Sequence, residues 1–246
     1  DYRIQDNHGL IKAFKDSTKV VCVFIFTPEQ VSKNEYFSSN AFQFIIESLK
    51  ELDEDLQGKL HIEFQENEKA LKKIYKEYTF DAVYFNEDYT PYARKRDREI
   101  EVYCENNNIK CVKVQDYLLA PIGTFLKKDE TCYEVYTPFQ RNAKKFPVEK
   151  VNHYKIDKNK LISIKKHLDF DDLSKYYDIN PNLLVKGGRK KALQILSHVA
   201  SFSNYDQCRN ILDYSTTHLS AYIKFGCVSI REVYYKFEKK FGIDFG

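Results

Sequence analysis

Between Lys19 and Gln115 the sequence alternates short apolar runs with longer amphipathic segments, and this alternation restricts the fold more than any other feature. The longer segments place apolar residues at helical spacing, as Phe42, Ile45 and Leu49 do. The predicted order is a strand at 19–27, a helix at 40–52, a strand at 60–64, a helix at 66–78, a strand at 80–86, a helix at 91–107 and a strand at 110–115. Strands separated by helices of this length form βαβ units, so we predict an α/β domain with a Rossmann-like, doubly wound parallel sheet.

Asn86 and Glu87 stand where the predicted strand 80–86 ends. Ligands of open parallel sheets bind at the carboxyl ends of the strands, which makes these two residues candidates for a binding site. The alternative is an ordinary turn after the strand, because Asn is common in turns. The residues alone leave both interpretations open.

The segment from Ser215 to Gly226 combines hydroxyls, an aromatic residue and a glycine at a predicted helix start. Ser and Thr cap helix N-termini, and the free backbone N–H groups there attract phosphate. A pyrophosphate site and a plain helix cap are both consistent with this composition.

Composition indicates a globular protein that has no membrane span and works in a reducing, intracellular compartment. Charged residues make up 30% of the chain, and no apolar run approaches the roughly 20 residues that cross a bilayer. The cysteines never form C-x-x-C or a cluster with the His residues, so no disulfide framework, catalytic thiol, metal site or Ser/His/Asp triad is predicted. The six cysteines are Cys22, Cys104, Cys111, Cys132, Cys208 and Cys227.

Charge is distributed unevenly along the chain. Residues 151–246 carry 16 Lys and Arg against 10 Asp and Glu, whereas residues 1–150 carry 23 against 26. A basic second part suits contact with a phosphate backbone, although lysine runs are also typical of a solvated face.

Five segments, in order, resemble motifs of the DNA photolyase and cryptochrome family. They are D-Y-R-I-Q-D-N-H-G-L at 1–10, N-E-D-Y-T-P-Y at 86–92 followed by Arg96-Asp97, Y-E-V-Y-T-P-F at 133–139, Gly187-Gly188, and T-T-H-L-S-A-Y-I-K-F-G-C-V-S-I-R-E-V at 216–233. The last is similar to the flavin-binding signature of the family. Together the segments cover nearly the whole chain.

The resemblance implies an α/β domain at 1–126, an interdomain linker at 127–186 and the beginning of an all-α FAD-binding domain at 187–246. It further implies light-dependent repair of cyclobutane pyrimidine dimers in damaged DNA by electron transfer from reduced FAD. The FAD ribityl-diphosphate would contact Tyr205 and the segment Thr216, Thr217, His218, Leu219 and Ser220. Arg209 would meet phosphates of the lesion strand. The complete protein is expected to be a monomer in the cytoplasm or nucleus.

The same resemblance implies an antenna pocket for a folate or a deazaflavin near Ser39, Asn40, Asn86 and Glu87. It also implies that the opening strand of the family, which precedes D-L-R and lies in the middle of the sheet, is missing here. The chain has no Trp, and the flavin ring and lesion contacts of the family lie downstream of Gly246. We therefore expect no catalytic residue within this segment and no repair by it alone.

Three functions remain open at this point. A cryptochrome would use the same flavin site for signalling, and a non-catalytic remnant would keep only a nucleotide-binding module. In the same way, Tyr205 and Tyr222 could fill a helical core, and Arg209 could pair with Asp206 or Asp213. Composition does not separate repair of cyclobutane dimers from repair of (6-4) photoproducts.

Overall fold

A computed structural model describes residues 1–242 and confirms the predicted alternation of strands and helices. The first part of the chain contains α1 (His8–Asp16), β1 (Cys22–Phe26), α2 (Ser39–Asp55), β2 (Leu60–Phe64), α3 (Asn67–Glu77), β3 (Ala82–Asn86), α4 (Pro91–Asn106) and β4 (Lys110–Val114). The second part contains α5 (Tyr136–Ala143), α6 (Arg189–Ser197), α7 (Tyr205–Cys208), α8 (Leu219–Lys224) and α9 (Ile230–Phe241), with short 3-10 turns between them.

The four strands form two parallel pairs. Strand β1 pairs with β2 in the register Cys22 to Leu60, and β3 pairs with β4 in the register Ala82 to Lys110. Within residues 1–242 the two pairs share no ladder hydrogen bonds. The parallel direction agrees with the predicted βαβ units. That the opening strand of the family is missing here stays a prediction.

The chain start lies between the carboxyl ends of the two pairs. The Tyr2 ring contacts Phe24 of β1 with ring centroids 5.6 Å apart, and Asn86 of β3 donates to the Asp1 carboxylate at 2.6 Å. Tyr2 and Ile4 are buried. Residues 1–4 therefore connect the two strand pairs at the edge where ligands of such sheets bind.

One core runs from the first strand pair into the short helices of the second part. Its fully buried members include Phe14 of α1, Leu49 of α2 and Leu173 of the segment before α6. Tyr222 of α8 is 3% exposed and lies in the same core, which confirms its interpretation as a core residue. A smaller cluster around Cys104 lies between α4 and the second strand pair.

The polar stretch after residue 127 has more secondary structure than a simple linker. It contains α5, and Leu161 forms an isolated bridge with Val20 just before β1. This pairing explains why β1 begins at Cys22, three residues later than the predicted strand. The domain boundaries at 126 and 186 stay predictions.

All six cysteines are unpaired thiols. Desolvation raises the pKa of the half-buried Cys22 thiol to about 12, so this thiol is a poor nucleophile at neutral pH. Among residues 1–242, no group of His, Cys, Asp and Glu side chains could hold a metal ion, and no helix is long and apolar enough to cross a membrane.

Candidate functional site

The hydroxyl-rich segment leads into α8 as a loop, with the helix beginning at Leu219. The N-cap is His218 in the left-handed conformation with φ of 52°, and its side chain makes no cap hydrogen bond. The N-cap residue is therefore neither Ser nor Thr, which counts against the plain-cap alternative. Thr217 comes nearest to that role, because its hydroxyl accepts from the Leu219 N–H at 3.3 Å.

The side chains of this loop present polar groups at the surface. The Ser215 hydroxyl and His218 Nε2 are 2.8 Å apart, Thr216 and Thr217 are half-buried, and Ser220 is exposed. Leu219 is 4% exposed, so it contributes its backbone to this surface and its side chain to the core. The segment thus offers hydroxyls and an imidazole that could hydrogen-bond a polar ligand.

Tyr205 and Arg209 lie at the two ends of the single-turn helix α7. Tyr205 is 41% exposed, which contradicts the interpretation of this ring as core packing. Arg209 is exposed, and among the described residues it forms no ion pair with Asp206 or Asp213. The structure therefore leaves both side chains available at the surface, with roles that stay predictions.

The other end of α8 is held tightly against the first residues of the chain. The Tyr2 N–H lies 3.2 Å from the carbonyl of Phe225 and 3.1 Å from that of Gly226, and the rings of Tyr2 and Phe225 stack at 5.9 Å. Gly226 has φ of 65°, and a Cβ there would lie 2.2 Å from the Asp1 carboxylate. Only glycine combines this backbone conformation with so close an approach.

A buried group of charges fixes the corner between α8 and α9. We call Arg3, Asp6, Asp116 and Arg231 the ion cluster; each of these side chains is at most 3% exposed. Arg231 Nε donates to Asp6 Oδ2 at 2.9 Å, and Asp116 accepts from both Arg3 and Arg231. His8 borders the cluster, 3.5 Å from Asp6 and 3.8 Å from Asp116.

Electrostatics of the ion cluster favour the ionised form of Asp6. Burial by itself raises the pKa of this carboxyl, but hydrogen bonds from His8, Ser229 and the Asn152 backbone, together with the Arg231 charge, bring it well below the usual 3.8. The Ser229 hydroxyl donates to Asp6 at 2.5 Å. Asp6 is therefore a permanent anion at neutral pH.

The proposed antenna residues bond to different partners. The Ser39 hydroxyl accepts from the Asp178 N–H at 3.0 Å, and the Asn40 side chain accepts from Asn180 at 3.1 Å, so a segment before α6 contacts both. Asn86 instead accepts from the Gly9 N–H at 2.8 Å. No hydrogen bond among the described residues joins these pairs, and their shared pocket stays a prediction.

Asn86 and Glu87 do lie at the carboxyl end of β3, as the sequence predicts. The Asn86 amide donates to Asn7 at 2.9 Å and lies 3.4 Å from Asp116 of the ion cluster. The Glu87 N–H donates to the Val114 carbonyl and extends the β3–β4 pairing by one residue. Asn86 therefore has a structural role in connecting the chain start to β3.

A cavity of about 310 Å³ opens at the carboxyl ends of β1 and β2, within the range typical of small-molecule sites. Tyr92 and Thr27 meet across it with their hydroxyls 2.8 Å apart. Its lining comprises Thr27, Pro28, Glu29, Lys33, Glu66, Asn67, Tyr92, Lys95, Arg96 and Glu99. This site was not among the predicted ones, although Thr27 ends a predicted strand and Tyr92 and Arg96 belong to the motif at 86–97.

The fold belongs to the α/β class in which parallel strands carry ligand sites at their carboxyl ends. A sequence profile described as DNA photolyase matches residues 1–155, more than half of the chain. The chain belongs to the DNA photolyase family.

Curated relatives include proteins of two lengths. The chain is 28% identical over 244 residues to an uncharacterized 31.6 kDa protein in the atpI 5′ region of Synechococcus sp. (strain PCC 6716), covering 95% of this chain and 85% of that one. It is 25% identical to the deoxyribodipyrimidine photo-lyase of another Synechococcus strain (ATCC 27144) and 24% identical to cryptochrome-1 of Aedes aegypti. The chain spans about half the length of these two relatives, 51% and 49% respectively, while 95% of it is matched.

Solved structures confirm the fold. The archaeal photolyase from Sulfolobus tokodaii, crystallised with two FAD molecules, aligns with 96% of this chain and 52% of its own at a TM-score of 0.82 and 33% identity. A cryptochrome from Synechocystis aligns with 98% of this chain and 55% of its own at a TM-score of 0.78 and 18% identity, which supports the fold alone.

Proposed function

We propose that this chain is the antenna-domain half, together with the first part of the flavin domain, of a photolyase that repairs cyclobutane pyrimidine dimers in DNA under light. The loop and helix start at Thr216–Ser220 carry this proposal, because they join the family's flavin signature to a surface of hydroxyls and an imidazole. The whole activity requires contacts that the family supplies in its second half, which this chain does not span.

The residues present fit one part of an FAD molecule, the ribityl-diphosphate. Phosphate and ribityl oxygens need hydrogen-bond donors, and the half-buried Thr216 and Thr217 and the exposed Ser220 each carry a hydroxyl. Thr217 uses its oxygen as an acceptor for the Leu219 N–H, which leaves its hydroxyl proton free to donate outward. Tyr205 of α7 is 41% exposed and is proposed to contact the same polar chain of the cofactor.

Reduced FAD, when bound, supplies the electron that splits the dimer, as flavin cofactors carry the chemistry that side chains do not. The residues of this chain would bind the cofactor and orient it. Thr216 and Thr217 hold the polar chain of the cofactor, and α8 fixes that loop against a buried core through Leu219 and Tyr222. Arg209 has no internal partner among the described residues and offers its guanidinium to a DNA phosphate.

We assign an antenna chromophore to the carboxyl-end cavity that Thr27 and Tyr92 line. Its volume of about 310 Å³ suits part of a ring system, and its lining carries both Lys and Glu side chains that could bond a folate or a deazaflavin. Asn86 and Glu87 lie at the end of the neighbouring strand pair. The Sulfolobus tokodaii photolyase, with its second FAD described as a light-harvesting cofactor, supports an antenna in a related protein.

A cryptochrome-type light sensor is the second candidate. The identity to cryptochrome-1 of Aedes aegypti is 24%, against 25% for the Synechococcus photo-lyase, so similarity favours neither activity. A sensor and a repair enzyme share the flavin site and differ in what happens to a bound lesion.

The test is light-dependent repair by the natural protein. It is purified with its flavin reduced and mixed with an oligonucleotide that contains one thymine cyclobutane dimer, and intact thymines are counted after blue light and after darkness. Repair in light alone supports the proposal. Flavin binding without repair would support the sensor, and absence of both would support the non-catalytic module.

A further inference from the structure

The ion cluster joins three parts of the chain that are far apart in sequence. Arg3 and Asp6 belong to the segment before α1, Asp116 follows β4, and Arg231 lies in the first turn of α9. Two guanidiniums face the two buried carboxylates of Asp6 and Asp116, and Arg3 also pairs with the partly buried Asp1 carboxylate at 3.1 Å. Buried charges persist in proteins when they are paired in this way.

Arg231 makes the most connections in the cluster. Its Nε and Nη2 donate to the Asp6 carboxylate and the Asp6 carbonyl at 2.9 and 3.0 Å. Its Nη1 donates to the Asp116 carbonyl at 3.1 Å, and its Nη2 also reaches the Asp116 carboxylate. A planar guanidinium with five N–H donors can satisfy both acidic residues at once, whereas a lysine could not.

Arg3 extends the cluster to the end of α8. Its Nη1 donates to the Gly226 carbonyl at 3.2 Å, and its Nη2 donates to the Asp6 carbonyl at 2.8 Å. The residues that follow α8 are thereby bonded to the α/β domain from two sides, by Arg3 at Gly226 and by Arg231 beyond it.

The two ends of α8 differ in how they are held. The C-terminal end rests on buried hydrogen bonds to Tyr2 and Arg3, whereas the loop before the helix makes only local bonds, between Ser215 and His218 and between Thr217 and Leu219. Along α8 itself, Leu219 and Tyr222 are buried and the Tyr222 hydroxyl donates to the Lys186 carbonyl at 2.7 Å. The direction of α8, and with it the position of Thr216 and Thr217, is therefore set by these core contacts together with the helix end that contacts the ion cluster.

Stability alone does not explain the choice of four buried charges. Replacing a buried ion pair by packed apolar residues is often neutral or stabilising, while removal of one partner costs about 3–5 kcal/mol. In some proteins buried charged groups specify one geometry where apolar packing does not. A geometric role for the cluster is therefore the more economical explanation.

We propose that Arg231 is a positioning residue for the flavin: through Asp6 and Asp116 it fixes the α8–α9 corner on the α/β domain and so sets the loop that holds the cofactor. This inference rests on the proposed function, since it assigns a cofactor role to that loop. The Arg231 side chain donates only to Asp6 and Asp116 among the described residues, so it acts through the orientation of α8.

The test compares Arg231→Gln with Ile74→Ala in the natural full-length protein. Ile74 is a buried residue of α3 that is 5% exposed and lies outside the cluster, so its truncation lowers stability without touching α8. Two quantities are measured for each variant: hydrogen exchange of the amides at 215–226 in the flavin-free protein, and the Kd for FAD.

We expect Arg231→Gln to increase exchange at 215–226 and to raise the Kd for FAD about tenfold, which corresponds to 1.4 kcal/mol. Ile74→Ala should increase exchange in α3 and leave the Kd within about twofold of wild type. Arg231→Lys keeps the positive charge but loses the planar guanidinium that bonds both acidic residues. Its exchange rates at 215–226 and its Kd for FAD should therefore lie nearer to those of Arg231→Gln than to those of wild type.

Three outcomes would contradict the inference, and they are distinguishable. An unchanged Kd in Arg231→Gln, with wild type binding FAD, overturns the positioning role alone. An equal rise of Kd in both variants would show that lost stability is the cause. A wild-type protein that binds no FAD overturns the proposed function as well, while hydrogen exchange still reports whether Arg231 orders residues 215–226.

Discussion

Arg231 and Asp6 are 225 positions apart in sequence, and their side chains meet in a buried hydrogen bond of 2.9 Å. This contact brings the corner after α8 onto the segment before α1. It closes most of the chain into one packed unit. Within this unit, the residues proposed to bind the flavin phosphates keep a fixed position relative to the carboxyl ends of the strands.

Acid should weaken the contact between Asp6 and Arg231. Because hydrogen bonds and the Arg231 charge outweigh burial, the pKa of Asp6 in the folded protein lies below its unfolded value of 3.8. Between these two values the unfolded state binds more protons, so the free energy of unfolding rises with pH there and the contribution is complete above about pH 5. Urea unfolding between pH 3 and 7 should show this rise in wild type.

Asp6→Asn should lose that rise and be less stable at pH 7 by about 3–5 kcal/mol, the cost of leaving a buried guanidinium without its partner. Asp81→Asn, at an exposed position, serves as the control and should follow the wild-type curve. Identical slopes for wild type and Asp6→Asn would count against the depressed pKa.

Gly187→Ala should be strongly destabilising, because a Cβ there would lie 2.2 Å from the Phe44 carbonyl oxygen and 2.7 Å from the Ser48 hydroxyl. We expect a loss of about 3 kcal/mol, the upper part of the range for overpacking. The control is Gly123→Ala, where φ is positive but no atom lies within 4 Å, so only the backbone cost of about 1 kcal/mol applies. Equal losses in denaturant unfolding would contradict the close contact between Gly187 and α2.

Arg209→Gln should weaken DNA binding and reduce the slope of log K against log salt by about 1, the effect expected when one phosphate contact is lost. The matched control is Arg98→Gln. Arg98 is also exposed, but it lies 3.6 Å from Glu101 and 3.5 Å from Glu105, so its charge is already balanced. Affinity is measured on an oligonucleotide with one thymine dimer at several salt concentrations. Equal slopes for the two variants would exclude Arg209 from the interface.

A polypeptide of residues 1–246 by itself should neither repair dimers nor retain FAD. It offers groups for the polar chain of the cofactor, and the proposed contacts with the flavin ring come from the half of the family that it does not span. Gel filtration with added FAD, followed by the absorbance of the protein peak near the flavin band, measures retention. Co-elution at one FAD per chain, or dimer repair under light, would refute this prediction.

Local periodicity predicts the elements of this fold well and their ends less well. Strand β2 has the predicted bounds, Leu60–Phe64, because an apolar run bounded by Gly58 and the polar segment after Phe64 leaves few alternatives. Helix α2 ends at Asp55 and not at 52, since the charged residues after Leu52 continue the helix without interrupting its buried face. Helix ends depend on such tertiary contacts and are therefore poorly encoded in local sequence.

The site is predicted in part. A hydroxyl-rich loop before a helix follows from the segment at 215–226, but the left-handed His218 at its N-cap does not, because non-glycine residues adopt that conformation only in a few per cent of cases. The ion cluster is beyond local reasoning, since Arg3 and Asp6 meet Asp116 and Arg231 only after folding. The motifs at 1–10 and 216–233 contain three of these four residues, and the structure supplies the physical reason for them.

The most direct measurement of the central claim is the repair of a thymine dimer in light and in darkness. The natural protein is compared with one double variant and one single variant. Thr216→Val with Thr217→Val removes the hydroxyls proposed to hold the cofactor, and Thr18→Val makes the same change at an exposed position before β1. The account predicts light-dependent repair by wild type and by Thr18→Val, and a loss of at least tenfold in FAD affinity and in repair by the double variant at limiting FAD. Repair that is equal in all three proteins would contradict the flavin site at α8, and light-independent or absent repair by wild type would contradict the proposed function.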